Sequence, residues 1–249
     1  MMTGLVKLFC LPFAGGSKYS YRLYEEYRFP NLKFIPLDYP GRGALVREPF
    51  ADSIHSLVND LYRRIKDELD SGSYAIYGHS MGGVIAYLLT KKIISNGHNP
   101  PLHLFITGTP GPGSCLGERK NYHLLNKTEF LDKVRELEGL PKEFFENKDL
   151  LDYFEPILRA DFTINEKYVY EAEEPLPVLF TVITGTEEDL TSEEVLLWQR
   201  CSALEVDFRR MEGSHFFIFN HARSIVQLMW DKLFYSKKVI HHGREEKIP

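Results

Sequence analysis

The sequence predicts an α/β protein built on a mostly parallel, doubly wound sheet. Three observations carry this. Short apolar runs alternate with stretches of helical periodicity along the chain, the pattern of strands in one sheet with helices on its faces. The runs end in turns rich in glycine or proline, and in such sheets ligands bind beyond the carboxyl ends of the strands. The stretch Tyr74-Ala-Ile-Tyr-Gly-His-Ser-Met-Gly-Gly83 places a strand, a tight turn and a helix in immediate succession.

Leu5 to Leu11 is an apolar run interrupted by Lys7 alone, as expected of a strand buried on both faces. Pro12-Phe-Ala-Gly-Gly16 follows, and a glycine pair directly after a strand marks a close backbone approach. Tyr21 to Tyr27 reads as helix and Lys33 to Leu37 as a second strand. That strand ends in Asp38-Tyr-Pro-Gly-Arg-Gly43, a turn in which Asp38 and Arg42 are read as structural. Between Ser53 and Asp70, Leu57, Leu61, Ile65 and Leu69 recur every four residues, and Ser53 is placed to cap the helix. Met81 to about Ser95 is the helix after the central turn, stopped at Gly97. Leu102 to Thr107 is the next strand, closed by Gly108-Thr-Pro-Gly-Pro-Gly113.

From Leu124 to about Tyr170 the chain is rich in Glu, Lys, Leu and Phe, with no convincing strand. We read residues 115–170 as a helical insertion covering the carboxyl edge, a lid that limits water access. Pro177 to Thr184 and Leu204 to Met211 are the last two strands, and Phe219 to Phe234 is a closing amphipathic helix. Residues 237–249 form a charged, loose tail. The whole chain, 1–249, reads as one domain.

Net charge is −5 with a pI near 6.0, which argues against a nucleic-acid partner. No apolar run is long enough to cross a bilayer, and the first residues lack the features of a signal peptide. Cys10, Cys115 and Cys201 are odd in number and far apart, which fits neither a disulfide framework nor a metal cluster. A cytoplasmic protein with no metal is expected.

The central turn has the form Gly78-x-Ser80-x-Gly82, in which a serine sits at a strained strand-to-helix corner with its hydroxyl exposed. A side chain at 78 or 82 would collide where the backbone doubles back. A serine hydroxyl is a poor nucleophile until a base accepts its proton, usually an imidazole oriented by a carboxylate. Of nine histidines, only His215 lies in a loop directly after a late strand and beyond the serine. His79 adjoins Ser80 but is a poor base from that side of the turn. The acid should follow a strand between Ser80 and His215. Asp189 meets this, with Glu187 and Glu188 as close competitors and Asp161 in the helical insertion as the other candidate. The N–H of Met81 would be one oxyanion donor; Ala14 is the choice for the second, with Phe13 as the alternative.

These stretches together resemble a known family. Leu11-Pro-Phe-Ala-Gly-Gly16, Tyr39-Pro-Gly-Arg-Gly43 with Arg47-Glu-Pro49, and Gly78-His-Ser-Met-Gly-Gly83 match it, as do Leu158-Arg-Ala-Asp-Phe162, Gly185-x-x-x-Asp189 and Ser214-His-Phe-Phe217. The chain looks like a type II thioesterase, the editing hydrolase of nonribosomal peptide and polyketide synthases, with an α/β-hydrolase fold. Ser214 departs slightly, since the family more often has glycine before the histidine. The resemblance implies hydrolysis of acyl or aminoacyl thioesters from the phosphopantetheine arm of acyl or peptidyl carrier proteins, clearing misprimed or stalled modules in antibiotic or siderophore biosynthesis. It implies no cofactor beyond the arm its substrate carries, no membrane partner, and a monomer. Leu158, Arg159, Asp161 and Phe162 would shape the entrance for the arm. A carboxylesterase, a lipase or an acyltransferase could use the same triad.

Overall fold

The computed structural model describes residues 4–114, 121–137 and 146–235. Its frame is a six-stranded sheet in the order β2-β1-β3-β4-β5-β6, and every pairing is parallel. The strands are β1 (Val6–Leu11), β2 (Leu32–Pro36), β3 (Ser73–His79), β4 (Leu104–Thr107), β5 (Phe180–Gly185) and β6 (Asp207–Met211). The chain moves outward from β1 to the edge strand β2, returns to β3 on the other side of β1, and then proceeds to β6. Connections therefore leave β1 and β3 in opposite directions, which opens a crevice at their carboxyl ends. Leu11 pairs with Gly78 across this seam, so the loops after β1 and β3 start side by side.

Period-two alternation sends Phe9 and Leu11 of β1 to one face and Leu8 and Cys10 to the other. The first face is covered by α2 (Ile54–Leu69) and α3 (Met81–Ser95). Leu57, Leu61, Ile65 and Leu69, the stripe read from the sequence, are all buried there. Ser53 caps α2 by accepting the N–H of Ser56. The second face is covered by α1 (Arg22–Glu26) and the last helix, which buries Ile225, Val226, Met229 and Leu233.

That closing helix differs from the single span predicted. It is two pieces, α7 (Phe217–Asn220) and α8 (Ala222–Phe234), broken at His221. The His221 backbone is non-helical, and its Nε2 lies 2.8 Å from the Glu212 carbonyl oxygen, which pins the corner. Between β4 and β5 the described residues form a short 3-10 turn (Tyr122–Leu124), α4 (Lys127–Glu136) and α5 (Lys148–Glu166). The rest of the expected insertion, 115–120 and 138–145, and the expected tail lie outside the described residues. A short helix, α6 (Ser192–Leu196), follows β5. No helix among the described residues is long and apolar enough to cross a membrane.

Candidate active site

β3 ends at His79 and α3 begins at Met81, leaving Ser80 alone at the corner. Its backbone angles, φ 55° and ψ −123°, lie where a side chain is strained. The surroundings hold it there. The Ser80 N–H donates to the Thr107 carbonyl at 2.8 Å, and the Ser80 carbonyl accepts the Gly83 N–H at 2.8 Å. A Cβ at residue 78 would lie 2.0 Å from the Gly82 carbonyl oxygen, and one at 82 would lie 2.2 Å from that of Leu11. Both glycines are therefore needed for strand and helix to meet this closely. Met81 opens the helix, so its N–H has no intrahelical acceptor.

The loop after β1 folds back through a Gly16 N–H bond to the Phe13 carbonyl, 2.9 Å long, with Gly15 at φ 78°. Ala14 sits in this turn. Ala14, Ser80 and His215 line one cavity, walled by the apolar side chains of Phe13, Val134 and Leu158. The structure thus brings the predicted nucleophile, base and second oxyanion donor to a single rim. Phe162 also reaches this cavity.

The partner of His215 is Glu188. Its Oε1 lies 2.7 Å from His215 Nδ1, and its Oε2 accepts the Gly185 N–H at 2.6 Å. The Glu188 side chain is 3% exposed, whereas Asp189 is exposed to solvent. The carboxylate set against His215 is therefore Glu188, one of the two close competitors, and not the expected Asp189 one residue on. The reason is the turn after β5. The Thr186 and Glu187 N–H groups donate to the carbonyls of Met211 and Gly213, at 2.8 and 3.0 Å, stapling this loop to the histidine loop. That staple leaves residue 188 folded back beneath the loop and 189 outside it. Two glycines make the room: a Cβ at 185 would meet the Gly213 carbonyl oxygen at 2.4 Å, and one at 108 would meet His79 at 2.4 Å. Glu187 is exposed.

His79 is fully buried, with its ring centre 4.9 Å from that of His215. Its Nδ1 lies 2.9 Å from Thr107 Oγ1. Burial first, and the neighbouring His215 second, hold it well below the ordinary histidine range, so it stays neutral. It packs against the His215 ring.

Two residues singled out separately in the sequence meet here. Asp161, on α5, takes the Arg42 guanidinium in a bidentate pair at 2.5 and 2.6 Å. It also accepts the Gly15 N–H at 2.7 Å. Arg42 is thus more than a turn residue, a role that no local pattern in the sequence signals. Asp38 is structural as read: it accepts the N–H groups of Lys18 and Ala44, at 2.8 and 2.9 Å. Arg159 stays within the helical segment, bonded to Glu155 and to the carbonyls of His123 and Leu125 at 2.5, 2.7 and 2.9 Å.

The sequence model of the family described as "Thioesterase domain" matches residues 6–233. The chain belongs to the thioesterase domain family. This thioesterase is 30% identical to "Linear gramicidin dehydrogenase LgrE" of Brevibacillus parabrevis, over 90% of the chain and 86% of that protein. Where a dinucleotide-binding protein carries Gly-x-Gly-x-x-Gly after its first strand, this thioesterase has Pro12-Phe-Ala-Gly-Gly16. The crystal structure of ClbQ, from the colibactin NRPS/PKS pathway, superposes with a TM-score of 0.87 at 30% identity, covering 92% of this chain and 97% of that one. The type II thioesterase BorB, from the borrelidin biosynthetic cluster, superposes with a TM-score of 0.84 at 26% identity, covering 92% and 93%. These full-length likenesses make this thioesterase one of the type II class.

Proposed function

We propose that this thioesterase hydrolyses acyl or aminoacyl thioesters from the phosphopantetheine arm of carrier-protein domains, and so clears misprimed or stalled modules of a nonribosomal peptide or polyketide synthase. The observation that carries this reading is the single cavity shared by Ser80, His215 and Ala14, with Glu188 hydrogen-bonded behind the histidine. The relatives named for such pathways support the substrate class.

In this reading Ser80 Oγ attacks the thioester carbonyl while His215 Nε2 accepts its proton. Glu188 holds the proton on His215 Nδ1 and stabilises the imidazolium that forms. The Met81 and Ala14 N–H groups receive the developing oxyanion. Collapse breaks the carbon–sulfur bond, and His215 returns its proton to the departing pantetheine sulfur. A thiol is a good leaving group, with a pKa near ~8.5, so positioning and oxyanion binding carry most of the demand. Water, deprotonated by His215, then releases the acid from Ser80. The segment containing α4 and α5 acts as a lid within a single domain.

The test is mass spectrometry on a panel of acylated carrier proteins. Release of free acid, faster than from an oxoester of the same acid, is the expected result. Faster turnover of the free ester would assign a carboxylesterase, and acyl transfer to an added amine or alcohol in place of water would assign a transferase.

A further inference from the structure

The turn after β2 has a second role, visible only in three dimensions. It grips the loop after β1 at several points. Tyr39 Oη donates to the Pro12 carbonyl at 2.8 Å, and Arg42 donates to the Gly16 carbonyl at 3.3 Å. Asp38 takes the Lys18 N–H just beyond. Between these points lies Ala14. The remaining grip comes from α5, where Asp161 takes the Gly15 N–H.

We propose that Arg42 and Asp161 are positioning residues, which lock the oxyanion loop to the helix over the site so that the oxyanion hole is complete only while α5 is docked. This rests on the reading of Ala14 as an oxyanion donor. The geometry carries it. Asp161 Oδ2 serves Gly15 and Arg42 together, and Oδ1 serves Arg42 alone. The Ala14 N–H lies in the Phe13–Ala14 peptide plane, which the Gly16 N–H holds through the Phe13 carbonyl at 2.9 Å. Asp161 on the Gly15 N–H, with Arg42 on the Gly16 carbonyl, anchors the turn that makes this bond. Leu158, one turn before Asp161, packs so closely on Gly15 that a Cβ there would lie 2.4 Å from its Cδ2. Lifting α5 would strip the Gly15 N–H of its acceptor and break a pair whose side chains are 5% and 2% exposed.

The pair is a poor device for stability alone. Taking two charges out of water costs several kcal/mol, and apolar side chains of similar size often stabilise as well. Burial pulls the Arg42 guanidinium down, but the hydrogen bonds and charge of Asp161 outweigh it and hold Arg42 above its ordinary range. Its retained charge keeps the carboxylate aimed at the loop. An apolar substitute would fill the space and leave Gly15 unbonded.

Two variants test this, Asp161→Asn and the apolar double variant Arg42→Met with Asp161→Leu. Turnover is measured on an acyl N-acetylcysteamine thioester. Affinity is measured for an alkyl boronic acid, whose tetrahedral adduct presents an anionic oxygen. We expect kcat to fall by about tenfold or more, short of the roughly hundredfold or greater loss of a deleted oxyanion donor. KM stays near the wild-type value and boronate affinity falls in step with kcat. In the double variant the melting temperature returns to near wild type while kcat stays low. Wild-type kcat in either folded variant, or a loss confined to KM, overturns the proposal. Hydrogen exchange on the unaltered protein decides it even if neither variant folds. The Gly15 amide should exchange at the opening rate of α5, and free exchange overturns the coupling. Failure of the wild type on acylated carrier proteins would remove the proposed substrate, while the boronate and exchange measurements would still judge the pair.

Discussion

Glu188 holds His215 Nδ1 with one carboxylate oxygen, at 2.7 Å, and the Gly185 N–H with the other, at 2.6 Å. The second bond determines what an amide would do at this position. In Glu188→Gln the amide oxygen is the group able to accept the Gly185 N–H, so its NH2 is turned toward His215. Nδ1 must then accept, which moves the ring proton to Nε2 and leaves no lone pair for the serine proton. We expect kcat to fall by about 10⁴-fold, the size of the wrong-tautomer effect in serine proteases. Asp189→Asn, at an exposed position, should leave kcat within about twofold of wild type, in keeping with a side chain outside the site. Steady-state turnover of both variants on one acyl thioester checks the pair of outcomes.

Ser80 is held at φ 55° by its neighbours, in a conformation that glycine adopts without penalty. Such strain costs about 1–3 kcal/mol. Ser80→Gly should therefore abolish turnover and raise the melting temperature by several degrees, at roughly 2–4 °C per kcal/mol for a chain of this size. Ser80→Ala should abolish turnover without that gain, because alanine is as strained as serine. Calorimetry of the three proteins side by side tests the prediction, and equal melting temperatures would show that the corner is not strained.

The inner strands were legible because parallel strands buried on both faces are written as largely apolar runs, as in β4 and β5. The edge strands β2 and β6 are only partly buried and carry Lys33 and Asp207, Arg209 and Arg210. The elbow was legible from its Gly-x-Ser-x-Gly spacing, in which Gly78 is dictated by its contact with Gly82 inside the motif and Gly82 by the Leu11 carbonyl of the neighbouring strand. The identity of the acid was not. Residues 187, 188 and 189 are all carboxylates, and the choice among them depends on the staple from residues 186 and 187 to the loop after β6. The Arg42–Asp161 pair was hidden for a related reason: its members are 119 residues apart, and each sits in a local pattern complete without the other. The break at His221 depends on the Glu212 carbonyl, which no helical periodicity registers.

Stability should fall on acidification, with His79 and His103 responsible. Both are buried, and burial is the first cause of their lowered affinity for protons; His103 is brought down to about 3. In the unfolded chain each titrates near ~6.5. Below that value the unfolded state takes up protons that the folded state refuses, so the loss begins near pH 6.5 and continues until the folded groups titrate. Each histidine contributes a slope of about 1.4 kcal/mol per pH unit. His103 lies 2.8 Å from Thr181 Oγ1, remote from the catalytic loop. His103→Asn should therefore remove roughly half of the histidine-dependent slope while leaving the pH–rate profile in place. Urea unfolding between pH 7.5 and pH 5 provides the measurement, and an unchanged slope would refute the assignment.

The cavity beside Ser80 sets the remaining expectation. Its volume is about 50 Å³, small against the roughly 300–1,000 Å³ of ordinary ligand pockets. Val134 of α4 and Leu158 of α5 form part of its apolar wall and pack with Phe130 in a separate small core. With α4 and α5 in these positions, the space suits a short acyl group. Val134→Ala removes two methyl carbons from that wall without touching Ser80, His215 or the loop at Ala14. The best substrate should lengthen by one or two carbons. A methylene accommodated or excluded in such a pocket is worth about 1–3 kcal/mol, so kcat/KM for the longer chain should rise by about tenfold relative to the shorter one. A series of straight-chain acyl thioesters, compared between wild type and variant, reads this directly. An unchanged order of preference would mean that the acyl chain lies elsewhere than along α4.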